Sequence, residues 1–146
     1  MRKIPIIAGE IYHVCNRGVD SRKLFMDEGD YYRFVHNLFE FNNEDNVLNV
    51  NYYAGKQAAK YMDVRRPYIK PRKLLVNVLA FALMPNHYHL LIKPKTDEGG
   101  SEFMKKINGG YAKYFNNKYR RSGALFQGKY KAVLIKDEPH FIHISY

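Results

Sequence analysis

The chain predicts an α+β fold, a ferredoxin-like split βαβ antiparallel sheet with helices on one face and an added C-terminal helix. Three observations lead there. Stretches of β-formers and stretches of helical periodicity follow one another as strand, helix, strand, strand, helix, strand, helix. The two middle strands are separated only by Pro85-Asn86, which reads as the turn of a tight hairpin. No internal repeat or low-complexity segment points to another architecture.

Each element has its own signature. Gly9 to Gly18 reads as the first strand, with Ile11, His13 and Cys15 on one side and Tyr12, Val14 and Asn16 on the other. Asp27-Glu28-Gly29-Asp30 opens a helix to about Phe41, its acidic residues suiting the positive end of the helix dipole. Tyr31, Phe34, Val35, Leu38 and Phe41 give it one apolar face. Residues 43–71 break the pattern as an insertion or long loop, within which Ala58 to Val64 has the makings of a short helix. The hairpin follows, from Lys73 to Met84 and from Tyr88 to Lys93, and Thr96 to Gly100 is a polar turn. Ser101 to Tyr119 forms the second helix, lined by Phe103, Ile107, Tyr111 and Tyr114 or Phe115. Gly109-Gly110 marks a kink or a close approach within it. Gly123 ends the following turn, Phe126 to Ile135 reads as the last strand, and Asp137-Glu138-Pro139 starts a final helix.

The chain of 146 residues is expected to form one domain over residues 1–146, burying about two-thirds of its unfolded surface. A hydrophobic content of 46% with mean hydropathy −0.50 is ordinary for a water-soluble protein. No apolar run approaches the length of a membrane span, and no membrane partner is expected. One cysteine, Cys15, excludes an intramolecular disulfide and fits a reducing compartment. The expected location is cytoplasmic, associated with the nucleoid. Against 14 acidic residues stand 24 Lys and Arg, a formal charge of +10 that points to a polyanion. Thirteen Tyr beside these cations suit base stacking combined with phosphate neutralisation.

The candidate chemistry sits at the hairpin. On a strand His87 and His89 share a face and Tyr88 takes the other, so two imidazoles can converge on one cation. His13 reads as an ordinary strand histidine in preference to one with a direct role. The basic run from Arg65 to Lys73 suits either a nucleic-acid contact or a solvated insertion.

The motif MPNHYHLLIKP resembles the His-hydrophobic-His motif of the single-tyrosine HUH transposases, especially the REP-associated tyrosine transposases of bacteria and their small insertion-sequence relatives. The stretch NNKYRRSGALFQGKYKAVLI is similar to a second family segment, and the Asn16-Arg17-Gly18 ending of the first strand to a third. The resemblance runs from about Gly9 to the C-terminal end, apart from the segment around Asn43 to Pro71.

It implies metal-dependent cleavage and rejoining of single-stranded DNA at hairpin-bearing elements, through a 5′-phosphotyrosine intermediate. His87 and His89 would hold Mg²⁺ or Mn²⁺. Two imidazoles alone favour later transition metals, so an oxygen ligand is needed. In the family it lies on the last helix, one turn beyond the catalytic tyrosine. That tyrosine opens a Tyr-Ile-His-Leu-Asn-Pro-like motif, and here Tyr146 is either the nucleophile or its immediate predecessor. The chain is therefore expected to be truncated at its C-terminal end. Tyr111, Tyr114 and Tyr119 are competing tyrosines. Arg17, Arg65, Arg66, Lys105, Lys106, Arg120, Arg121, Lys129 and Lys131 would contact phosphates, with Tyr111 a further nucleic-acid contact. The partner is single-stranded or hairpin DNA, and the protein a monomer or homodimer. The alternative is a non-catalytic, domesticated binder of hairpin DNA or RNA on the same fold.

Overall fold

Alternation along β1 (Tyr12–Arg17) sets two faces. Tyr12, Val14 and Asn16 are buried, His13 and Cys15 half-buried, and Arg17 exposed. A computed structural model describes residues 5–45 and 72–136 and carries these faces across a four-stranded antiparallel sheet. Its other strands are β2 (Val76–Met84), β3 (His87–Pro94) and β4 (Lys131–Leu134). Helix α1 (Glu28–Glu40) lies between β1 and β2, and α2 (Gly99–Tyr119) between β3 and β4. The sheet order β2-β3-β1-β4 is that of the split βαβ arrangement. The expected final helix, the Ala58–Val64 helix, and Arg65, Arg66 and Tyr146 lie outside the described residues.

Both described helices cover the same face. Tyr12 and Val14 of β1 and Tyr88, Leu90 and Ile92 of β3 form one core with Phe34 and Leu38 of α1. Phe103, Met104, Ile107, Tyr111 and Phe115 of α2 complete it. Of the expected α1 face, Phe34 and Leu38 are buried, whereas Val35 stays 37% exposed. Buried phenols find partners: Tyr88 donates to Asn108 Oδ1 (2.5 Å) and Tyr111 to the Leu24 carbonyl (2.5 Å).

The helices are joined through Asp30. Asp27 caps α1 by accepting from the Asp30 N–H (3.0 Å). The buried Asp30 carboxylate accepts from Tyr114 Oη (2.7 Å) and Lys118 Nζ (2.8 Å) on Oδ1. Tyr119 Oη (2.6 Å) and the Met26 N–H (2.8 Å) donate to Oδ2.

The second helix and the last strand differ from expectation. Helix α2 begins at Gly99 because Gly99 and Gly100 let the chain lie tight on its neighbours; a Cβ would come within 2.5 Å of the Leu75 carbonyl oxygen and of Ile6 Cγ2, respectively. It runs unbroken through Gly109-Gly110, and of the two proposed roles close approach is the one found: a Cβ on Gly110 would sit 2.5 Å from the Phe41 ring. The last strand is shorter than Phe126 to Ile135. Phe126 makes only an isolated bridge to Gly18, and the chain leaves the ladder until Lys131. The backbone of that detour is held by Gln127 N–H donating to the Arg17 carbonyl (2.9 Å) and Asn16 Nδ2 to the Gly128 carbonyl (3.1 Å). Among the described residues no helix is long and apolar enough to cross a membrane.

Candidate active site

The Pro85-Asn86 turn is clamped by the chain that leaves β1. Gly18 N–H donates to the Asn86 carbonyl (2.9 Å), and the Leu24 and Phe25 N–H groups to the Pro85 carbonyl (2.7 and 3.2 Å). Gly18 is required there, since a side chain would collide with the Arg22 carbonyl. Asp20 and Ser21 adopt positive φ (54° and 58°) in the intervening turn.

On the face turned away from α1 and α2, the register sets Arg17 opposite His87, and Cys15 between His89 and Lys131. His87 and His89 are both half-buried, their ring centroids 5.0 Å apart and their planes at 88°. Each Nδ1 is engaged. That of His87 lies 2.7 Å from Asn86 Oδ1, an atom that only accepts, so the ring proton sits on Nδ1. The Asn86 amide is itself oriented by Nδ2 donating to the Ser21 carbonyl (3.4 Å). His89 Nδ1 lies 2.8 Å from His13 Nε2. In both rings Nε2 is the nitrogen left for a ligand. Burial, and then the nearby His87, push the His89 pKa down, which favours the neutral form that can bind a cation.

The two residues fit a metal. Ring centroids 5.0 Å apart leave two imidazoles near enough to share one ion. Among the described residues no group of three or more His, Cys, Asp or Glu is placed to hold an ion, so the pair supplies part of a coordination shell. It borders a recess of about 500 Å³ lined also by Cys15, Arg17, Gln127, Lys129 and Lys131. Burial pushes the Cys15 thiol up, while Lys131 and Arg17 pull it down. A larger cleft of about 920 Å³ between α1 and β2 is lined mainly by apolar residues such as Leu38, Phe39 and Phe81, with no histidine or carboxylate.

The basic residues divide by face. Arg17, Lys129 and Lys131 gather at the recess. Lys105 and Lys106 lie on α2, across the sheet, where Lys106 Nζ donates to the carbonyls of Asn43 (2.6 Å) and Asp45 (3.2 Å). Arg120 is the exposed left-handed cap of α2, and Arg121 is committed to Asn116 Oδ1 (2.8 Å) and the Ala124 carbonyl (3.1 Å). Tyr111 is corrected: it is fully buried, its hydroxyl held by Leu24, and faces the core rather than nucleic acid. Tyr114 and Tyr119 spend their hydroxyls on Asp30, in the helical layer. All three are thus on the wrong side of the sheet to compete as nucleophiles at the histidines.

Two contributors escaped the sequence reading. Asn86 was visible as a turn residue, and its adjacency to His87 was the available signal. His13 reaches His89 diagonally across the β1–β3 ladder, which requires the long-range register.

The model of the family described as "Transposase IS200 like" matches residues 70–146, more than half of the chain. The chain belongs to the IS200-like transposase family. Among solved structures, this chain is similar in fold to a REP-associated tyrosine transposase bound to a REP hairpin, with TM-score 0.59 and 14% identity. The match covers 99% of the chain but 66% of that protein, so the chain spans just under two-thirds of that relative's length. A candidate transposase from Deinococcus radiodurans R1 matches with TM-score 0.54 and 14% identity, over 100% of this chain and 95% of the other. These likenesses are of fold. No curated protein matched the chain.

Proposed function

We propose that this transposase cleaves and rejoins single-stranded DNA at hairpin-bearing elements, with His87 and His89 holding Mg²⁺ or Mn²⁺ and Tyr146 as the nucleophile. The observation that carries the reading is that His87 and His89, each engaged through Nδ1, line one recess with Arg17, Lys129 and Lys131. Imidazoles alone would suit a cation site, and lysines alone a phosphate. Together they suit a phosphate that meets a cation.

A divalent ion held by His87 and His89 would supply Lewis-acid chemistry to the scissile phosphate. The Tyr146 phenol oxygen attacks phosphorus in line, forming a P–O bond as the bond from phosphorus to the 3′-oxygen breaks. The phenol loses its proton to solvent and the departing 3′-oxygen gains one. The products are a 5′-phosphotyrosine and a free 3′-OH, and attack by a second 3′-OH rejoins DNA by the reverse step. Bond energy is kept in the covalent link, so no nucleotide cofactor is required. Arg17, Lys129 and Lys131 neutralise backbone charge near the attack site.

The test uses a single-stranded DNA hairpin with flanks, labelled at the 3′ end, the end that stays with a phosphotyrosyl fragment. With Mn²⁺ the full chain should give a covalent band on a denaturing gel, lost with EDTA and in His87→Ala, His89→Ala and Tyr146→Phe. Peptide mapping should place the DNA on Tyr146. Hairpin binding without any covalent band refutes the catalytic reading and leaves a DNA-binding protein.

A further inference from the structure

We propose that His13 is a positioning residue for His89. It holds the ring proton of His89 on Nδ1 and thereby keeps Nε2 unprotonated at the recess. The inference deepens the reading of His89 as a metal ligand and rests on it, though its first test does not.

The contact is 2.8 Å from His13 Nε2 to His89 Nδ1, within hydrogen-bond distance, with the ring planes 12° apart and the centroids 5.0 Å apart. A neutral imidazole carries one N–H, and the partner of one nitrogen decides the state of the other. Were the proton on His89 Nε2, that nitrogen could bind no cation. A partner that accepts from Nδ1 removes this alternative and fixes the ring orientation. His87 receives the same service from Asn86 Oδ1, so two different residues impose one tautomer on the two rings. The backbone makes the contact dependable: His13 and His89 lie on hydrogen-bonded neighbouring strands, and both rings are part-buried. The sequence favours an ordinary strand place for His13 over a direct role.

The test starts with ¹⁵N-labelled full chain and no metal, using long-range ¹H–¹⁵N imidazole correlations. His89 should be the Nδ1–H tautomer in the wild type. It should move toward Nε2–H in His13→Ala and return to Nδ1–H in His13→Gln, whose amide oxygen can accept. Calorimetric titration with Mn²⁺ should then give affinity weakened roughly 10- to 100-fold in His13→Ala, the range for lost outer-shell partners, and largely recovered in His13→Gln. An Nε2–H tautomer for wild-type His89, or a tautomer unchanged by His13→Ala, overturns the proposal. If His13→Ala does not fold, the wild type and His13→Gln still decide: Nδ1–H in both upholds it, and Nε2–H in either overturns it. If the tautomers behave as expected but no covalent DNA complex forms, the cleavage reading fails and the positioning role stands.

Discussion

Asp30→Asn tests whether one buried carboxylate clasps the two helices. The Asp30 side chain is 0% exposed and receives four hydrogen bonds, from Tyr114, Lys118, Tyr119 and the Met26 N–H. Burial alone would raise its pKa, but the bonds from Lys118, Tyr119, Tyr114 and Met26 together outweigh burial and hold it at about 2, against an ordinary 3.8. At roughly 1.4 kcal/mol per unit, that difference corresponds to about 2 kcal/mol of folding stability. Because the folded pKa is the lower one, this stability is fully present above the unfolded value near 3.8 and drains away as pH falls through about 2. Asparagine accepts through only one oxygen and turns an N–H₂ toward two of the four donors. The variant should lose about 2–3 kcal/mol at pH 7 and lack the wild type's extra loss of stability between pH 4 and 2. Urea unfolding of both proteins at pH 7, 4, 3 and 2.5 measures each quantity. Parallel stability curves for the two proteins would refute the account of Asp30.

The adjacent glycines of α2 should respond in opposite directions: Gly109→Ala meets open space and should gain up to about 1 kcal/mol, whereas Gly110→Ala presses on Phe41 and should lose about 1 kcal/mol or more, both read from thermal melts. Lys131→Ala and Arg17→Ala should each weaken binding to a single-stranded hairpin and flatten the log–log salt dependence by about 0.7–0.9, whereas the same change at Lys106, across the sheet, should leave the slope unaltered. Tyr111→Phe leaves the Leu24 carbonyl short of a donor and should cost about 1–2 kcal/mol in unfolding experiments without reducing covalent DNA complex formation.

Local pattern made most of the fold readable. Alternation from Tyr12 to Asn16 gives the two faces of β1, and the Pro85-Asn86 turn gives the hairpin and puts His87 and His89 on one side. The spacing of Phe34 and Leu38, and of Phe103, Ile107 and Tyr111, gives the helix faces. Long-range consequences were not readable. Asp30 reads as one more acidic residue at a helix start, because the groups that bury it come from Tyr114 to Tyr119. Tyr111 reads equally well as a core residue or a DNA contact until α2 is docked. His13 becomes informative only once β1 lies beside β3, and β4 is short because its early residues leave the ladder to wall the recess.

The alternation of β3 couples correctness of folding to readiness for chemistry. His87 and His89 take turns with Tyr88, Leu90 and Ile92, the residues that anchor the sheet to its helices. A slip of one residue would drive both imidazoles into the apolar interior and turn three large core side chains into water. Such a chain would be too unstable to persist, so misassembled sites are removed with misfolded chains. The strand thus acts as its own inspector: a molecule that stays folded has already set its two histidines on the face turned away from the helices.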